Sequence, residues 1–93
     1  MKAIAAARLF DGTAFAGASS VLIEGDRIAA SAEAPPPGIP VEHAPLLVPG
    51  FIDLQVNGGG GAMFNADPTP ATIARIASAP AASGTTSILA TFI

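Results

Sequence analysis

The stretch Pro49-Gly50-Phe51-Ile52-Asp53-Leu54-Gln55-Val56-Asn57, followed by four glycines at positions 58–61, decides how this chain folds. A Pro-Gly turn signal opens it, an apolar run crosses it, and polar side chains gather where the run meets the glycines. Buried strands of parallel sheets have this pattern, because they carry side chains to a site at their carboxyl end. The stretch therefore predicts a strand that leads into a functional site.

A helix and a second strand are predicted after the glycines. Thr69 suits the N-cap and Pro70 the first helical position, and an apolar face follows at helical spacing: Ile73, Ile76 and Ala77. Gly84 predicts the end of the helix, and residues 85–93 predict a strand buried on both faces. Residues 50–93 would then form one right-handed βαβ unit with parallel strands. Arg75 is expected on the solvated face of the helix.

The first half of the chain predicts a small antiparallel β layer. Residues 2–10 predict an edge or hairpin strand that ends at an Asp11-Gly12 turn. Two short strands joined at Gly25-Asp26 predict a hairpin. Residues 34–40 contain four prolines and predict a stiff surface connector. Residues 41–48 predict a strand that is broken or bulged at Pro45.

Composition excludes several classes of function. The net charge is −3 and the four basic residues are scattered, so no cluster is present to bind the phosphates of a nucleic acid. Without cysteine there are no disulfides or thiolate metal sites, which fits a reducing compartment. Arg8 ends the N-terminal apolar run too early for a signal peptide, and no run approaches the roughly 20 residues of a membrane span. We expect a cytoplasmic protein with no membrane partner.

The motif Pro-Gly-Phe-Ile-Asp at residues 49–53 resembles the start of the (β/α)8 barrel in amidohydrolase-superfamily enzymes. There the motif continues with two metal-binding histidines, x-His-x-His, whereas this chain has Gln55 and Asn57. The Gln-x-Asn pair, the glycine run, Phe64-Asn65 and Ser83-Gly84-Thr85-Thr86 together resemble the N-acetylglucosamine-6-phosphate deacetylases. The resemblance extends from about Leu9 to the end of the chain.

The resemblance implies an α/β fold with two parts. Residues 1–48 would be a small N-terminal β domain, an antiparallel layer that is part of a β-sandwich. Residues 49–93 would be the start of a metal-dependent hydrolase (β/α)8 barrel, limited to its first β-α-β unit. Such a barrel needs roughly 250 residues. We therefore expect these 93 residues to be the N-terminal piece of a longer enzyme, and to be inactive alone.

The resemblance also implies the reaction, in which N-acetylglucosamine 6-phosphate is hydrolysed to glucosamine 6-phosphate and acetate. Enzymes of this family use a divalent metal, commonly zinc, held by a Glu and two His from later strands. Those ligands, and the catalytic Asp, would lie outside this chain, whose only histidine, His43, precedes the barrel. The complete enzyme would be a homodimer acting on a small-molecule amino-sugar phosphate.

Gln55 and Asn57 are the candidate site residues. They are two apart on a strand, so they share the face that looks into the active site at the end of a barrel strand. Neutral amides bind zinc poorly, so we expect them to hold water, a neighbouring ligand or the substrate beside a vacant second metal position. The alternative is that both amides only satisfy buried backbone groups.

The other polar and glycine positions receive more modest predictions. Asp53 is expected to anchor nearby backbone N–H groups rather than to catalyse. Gly58 and Gly59 belong to a flexible or tightly turned loop at the barrel mouth, with phosphate contact by their backbone N–H groups as the alternative. His43 has no expected site role.

Two other functions remain open from the sequence. One is a different amidohydrolase, either a cyclic amidase or a deaminase. The other is a non-enzymatic small β domain in which the glycines only form a turn.

Overall fold

The computed structural model describes all 93 residues, Met1–Ile93, and separates into two compact units, Met1–Pro49 and Gly50–Ile93. No helix has the length and apolar character needed to cross a membrane. The elements in chain order are β1 (Lys2–Phe10), β2 (Phe15–Ala16), β3 (Ser19–Glu24), β4 (Arg27–Ala32), β5 (Val41–Leu47), β6 (Phe51–Val56), β7 (Gly58–Gly59), β8 (Ala62–Met63), α1 (Pro70–Ala81) and β9 (Thr85–Ala90).

The first unit is one five-stranded sheet built around β1. Strand β1 pairs antiparallel with β2 and β3, and β4 pairs antiparallel with β3, which confirms a mostly antiparallel layer. Strand β5, however, pairs parallel with β1, so the prediction of a fully antiparallel layer was wrong. Of the two predicted positions for β1, an edge strand or a hairpin strand, the structure has the hairpin strand: β1 pairs with β2 across the Asp11-Gly12 turn, and β3 and β5 flank it. Its small buried residues, Ala3 and Ala6, belong to the core of this unit.

Pro45 does not interrupt β5. The register with β1 runs from Val41 opposite Ala3 to Leu47 opposite Leu9 without a shift. Because β5 pairs only with β1, it is an edge strand, and edge strands accept proline where the missing N–H would face away from the neighbour. The predicted break or bulge is therefore absent.

The two predicted turns of this unit are confirmed. The Asp11 carboxylate accepts hydrogen bonds from the backbone N–H groups of Ala14 (2.8 Å) and Thr13 (2.7 Å). These bonds stabilise the charged form and lower the pKa of the Asp11 carboxyl below its ordinary value. Strands β3 and β4 form the predicted hairpin, and its turn contains Gly25 at a φ of +62°.

The second unit is a β-α-β arrangement, because β6 and β9 pair in parallel and α1 lies between them in the chain. Gly50 precedes β6 where a side chain would overlap that of Thr86. The strand predicted over residues 85–93 ends at Ala90. The prediction that this strand is buried on both faces was wrong for the residues present: Leu89 is 57% exposed. One helix cannot cover both faces of a two-stranded sheet.

Helix α1 begins as predicted. Thr69 is the N-cap, its hydroxyl accepts from the backbone N–H of Thr72 at 3.3 Å, and Pro70 is the first helical residue. Ile76 is fully buried on the apolar face. The Thr72 hydroxyl in turn donates to Asp67 at 3.0 Å, which ties the first turn to the preceding loop.

The C-terminal end of α1 differs from the prediction. The helix passes through Pro80 and ends at Ala81, three residues before Gly84. Gly84 has a φ of +97°, donates its N–H to Ala81 O at 3.2 Å, and accepts from Phe51 N at 2.9 Å. It therefore turns the chain from the helix into β9 beside the start of β6.

The N-cap gives a test of the second unit. Thr69→Ala removes the hydroxyl that accepts from Thr72 N, and should lower the free energy of unfolding by about 1 kcal/mol. Thr69→Ser keeps the acceptor and should stay within a few tenths of wild type. Denaturant unfolding measures both. Equal losses in the two variants would contradict a capping role.

Candidate functional site

The candidate site lies where the parallel strands β6 and β9 end. Val56, the last residue of β6, is buried, and Asn57, the next residue, is half-buried. Thr91 directly follows β9, and its backbone N–H donates to Val56 O at 2.9 Å. The two strand ends are thus joined side by side, as required for a site at the carboxyl edge of a parallel sheet.

Asn57 is held by the side chain of Thr91, the residue that directly follows the neighbouring strand β9. The Thr91 hydroxyl lies 2.5 Å from Asn57 Oδ1 and 3.3 Å from Val56 O. The backbone O of Asn57 accepts from Phe64 N at 2.9 Å, so the following loop folds back onto it. Both the backbone and the amide of Asn57 are therefore fixed by contacts within this unit.

Phe64 and Asn65 fasten the end of the chain after β9. The Phe64 ring meets the Phe92 ring edge to face, with centroids 6.4 Å apart. The Asn65 side chain accepts from Ile93 N at 2.9 Å and donates to Ile93 O, as a neighbouring strand would. These contacts replace the predicted continuation of the strand through residue 93.

Gln55 differs from Asn57 in its surroundings. Its side chain is exposed, and its backbone N–H donates to Asp53 Oδ1 at 3.1 Å. This confirms that Asp53 anchors local backbone. The pairing of β6 with β9 is irregular between Asp53 and Val56, so the Asp53 carboxylate takes the Gln55 N–H where the ladder is interrupted.

The glycines form a short hairpin. Gly58 and Gly59 pair antiparallel with Met63 and Ala62, and the two residues between them, Gly60 and Gly61, have φ values of +58° and +78°. Positive φ at both central positions is the type I′ turn, which glycine adopts without strain. Of the two expected forms of the loop, the structure has the tightly turned one.

This glycine hairpin, residues 58–63, packs against α1. A methyl group added to Gly59 would lie 3.2 Å from the carbonyl oxygen of Ile76, and one added to Gly60 only 2.7 Å from that of Arg75. The Arg75 side chain turns back to donate from Nε to Gly60 O at 2.9 Å. Arg75 is exposed, as predicted, and in addition it joins α1 to the glycine hairpin through this hydrogen bond.

A cavity of about 370 Å³ lies between this hairpin and the start of α1. Its lining includes Met63, Asp67, Thr72 and Arg75, but neither Gln55 nor Asn57. The cavity is thus separate from the strand-end site.

The residues of this chain do not fit a zinc ion by themselves. No group of three His, Cys, Asp or Glu side chains comes together. The Asn57 oxygen, the one strand-end amide oxygen held in place, already accepts from Thr91. Exposed His43 lies on β5, in the other unit.

Thr91 is the residue that the sequence reasoning missed. The sequence pattern predicts only that it belongs to the strand over residues 85–93. The available signal was its position: a polar residue at the end of the second of two parallel strands lies at the same sheet edge as Asn57.

Comparisons of sequence and of structure both match this chain to deacetylases of amino-sugar phosphates. No family model matches the chain. An N-acetylgalactosamine-6-phosphate deacetylase of Shewanella sp. (strain ANA-3) is 55% identical over 47 residues, which are 50% of this chain and 12% of that protein. The N-acetylglucosamine-6-phosphate deacetylase of Pasteurella multocida matches 98% of this chain with a TM-score of 0.85 and 34% identity. The resemblance to the N-acetylglucosamine-6-phosphate deacetylases is confirmed.

The Mycobacterium smegmatis enzyme of the same name gives a similar result. Its crystal structure matches 100% of this chain with a TM-score of 0.82 and 29% identity. A mutant of it, solved in complex with N-acetyl-D-glucosamine-6-phosphate, matches 99% of this chain at 30% identity and a TM-score of 0.82. The chain spans only about a quarter of these solved structures, between 24% and 27% of their lengths.

The glycine hairpin can be tested with two neighbouring substitutions. Gly61→Ala introduces a side chain at positive φ, where its added carbon meets only the flexible end of Arg75, and should cost about 1–2 kcal/mol of unfolding free energy. Gly60→Ala carries the same backbone penalty and also strikes the helix backbone, so it should cost about 1–3 kcal/mol more. Chemical denaturation of both variants measures the difference. Equal costs would mean that the hairpin does not press on α1.

Proposed function

We propose that the complete protein containing this chain is a deacetylase that hydrolyses N-acetylglucosamine 6-phosphate to glucosamine 6-phosphate and acetate. The observation that carries the proposal is the match of 98% of the chain to the Pasteurella multocida deacetylase, at 34% identity. The two amides at the end of β6 agree with it, since a polar strand end is where barrel enzymes place substrate-binding groups.

The proposal includes the domain organisation. Residues 1–48 are the small N-terminal β domain, part of a β-sandwich, and residues 49–93 open a (β/α)8 barrel. Parallel pairing of β6 with β9 through α1 supports this, because it is the repeating unit of such a barrel. Exposed apolar residues on both strands support it too, since further barrel elements would cover them: Ile52, Leu54 and Leu89.

In the proposed enzyme this chain supplies hydrogen-bonding groups rather than metal ligands. A divalent metal, proposed as one zinc held by residues outside this chain, would polarise the amide carbonyl and activate water. Gln55 and Asn57 would orient water, a neighbouring ligand or the substrate. Asp53 keeps the backbone at Gln55 in place through the Gln55 N–H.

A second candidate substrate is N-acetylgalactosamine 6-phosphate. It is favoured by the 55% identity to the Shewanella N-acetylgalactosamine-6-phosphate deacetylase, although that match covers 47 residues. The two substrates are epimers that share the acetamide and the phosphate, so they would react by the same chemistry. Contacts to a single hydroxyl group would distinguish them.

The proposal extends to assembly and location. We propose a cytoplasmic homodimer that acts on a small molecule rather than on nucleic acid or a membrane. The net charge of −3 and the scattered basic residues support the absence of a nucleic-acid surface.

The reaction is tested with the complete protein, loaded with zinc and assayed for acetate and free amine on both epimers. We expect release of both products, with higher kcat/KM for the glucosamine form. The 93 residues alone should give no turnover. Release of neither product from either sugar would overturn the proposal, and hydrolysis of a cyclic amide or deamination of a base would favour another amidohydrolase.

The role of the strand-end amides is tested separately. In the complete protein, Gln55→Ala and Asn57→Ala should each lower kcat by about tenfold, because an oriented hydrogen bond is lost. The metal content, measured by elemental analysis, should stay at the wild-type value. Loss of metal in either variant would identify that residue as a ligand and contradict the assigned role.

A further inference from the structure

We propose that Thr91 is a positioning residue that orients the Asn57 amide, so that its Nδ2–H2 group, rather than its oxygen, is presented to the strand-end site. The effect on turnover rests on the proposed function, whereas the orientation itself does not. The contact that carries the inference joins Thr91 Oγ1 and Asn57 Oδ1 at 2.5 Å.

The direction of this hydrogen bond follows from counting protons. The Thr91 hydroxyl has one hydrogen and two oxygens within reach, Asn57 Oδ1 at 2.5 Å and Val56 O at 3.3 Å. Val56 O already accepts the backbone N–H of Thr91 at 2.9 Å. Asn57 Oδ1 is the nearer oxygen and has no other donor in the unit, so it accepts the Thr91 hydroxyl proton.

The consequence for Asn57 follows from the planarity of its amide. With Oδ1 directed at Thr91, the Nδ2 atom is directed away from β9 and carries two hydrogens free to donate. Such a group recognises acceptors, such as a carboxylate, a water oxygen or a substrate oxygen. If the Asn57 amide were flipped, it would instead offer its oxygen, a hydrogen-bond acceptor, to the strand-end site.

Thr91 is well placed to hold this orientation. Its side chain is β-branched and therefore restricted at χ1, and its backbone is tied to Val56. The two following residues are fastened by the Phe92–Phe64 ring contact and by the Asn65 side chain. Both partners of the hydrogen bond are thus fixed before any ligand binds.

The test uses the complete protein with Thr91→Val, which replaces the hydroxyl by a methyl group, and Thr91→Ser, which keeps the hydroxyl. Thr91→Val should lower kcat/KM for N-acetylglucosamine 6-phosphate by about tenfold, and Thr91→Ser should restore most of it. Thr86→Val is the matched control, because the Thr86 hydroxyl lies at the opposite end of β9 and reaches Phe51 O at only 3.4 Å. It should leave kcat/KM unchanged.

A double-mutant cycle separates positioning from general stability. In an Asn57→Ala background, Thr91→Val should have no further effect on kcat/KM, because Thr91 acts through the amide that has been removed. A tenfold loss in that background as well would overturn the proposal.

The orientation is decided independently of turnover. In a neutron structure of the deuterated wild-type protein, we expect deuterium on Thr91 Oγ1 directed at Asn57 Oδ1. Deuterium on Asn57 Nδ2 directed at Thr91 would overturn the proposal without requiring any variant to fold. If neither sugar is deacetylated, the proposed function fails while this measurement still decides the orientation.

Discussion

The second unit depends on the close approach of the glycine hairpin, residues 58–63, to helix α1. Side chains cannot fit between them: a carbon added to Gly60 would lie 2.7 Å from the carbonyl oxygen of Arg75. The backbone of the hairpin therefore packs directly on the helix, and Arg75 closes the contact by donating to Gly60 O. This hairpin directly follows Asn57. Its packing against α1 therefore also sets the path of the chain after β6.

The contacts around the strand-end site depend on that path of the chain. After the hairpin, Phe64 donates its N–H back to Asn57, and Asn65 pairs with the backbone of Ile93. The loop that leaves β6 and the segment that leaves β9 are thus fastened together around Asn57 and Thr91. In this arrangement Thr91 holds the Asn57 amide through its oxygen. An amide held through its oxygen presents its Nδ2 hydrogens as fixed donors.

Local elements were largely predictable because short-range chemistry specifies them. The Thr69-Pro70 start of α1, the turn at Gly25 and the backbone anchoring by Asp53 each depend on residues only a few positions apart. Strand partners were predictable only where a tight turn or a helical crossover joins the two strands, as for β3 with β4 and β6 with β9. The pattern of residues 41–48 indicates a strand, but nothing in it indicates that β5 joins β1 in parallel, since pairing is chosen by the path of the connecting chain.

The sequence by itself determined where the longer strands and the start of the helix form, and that polar side chains gather at the end of β6. It determined the family resemblance too, because the Gln-x-Asn pair and the glycine run are local motifs. Only the tertiary structure decided what those residues touch. Thr91 lies 34 residues from Asn57 in the chain, and Arg75 lies 15 residues from Gly60. Contacts at such separations arise from the packing of whole elements, which no local pattern encodes.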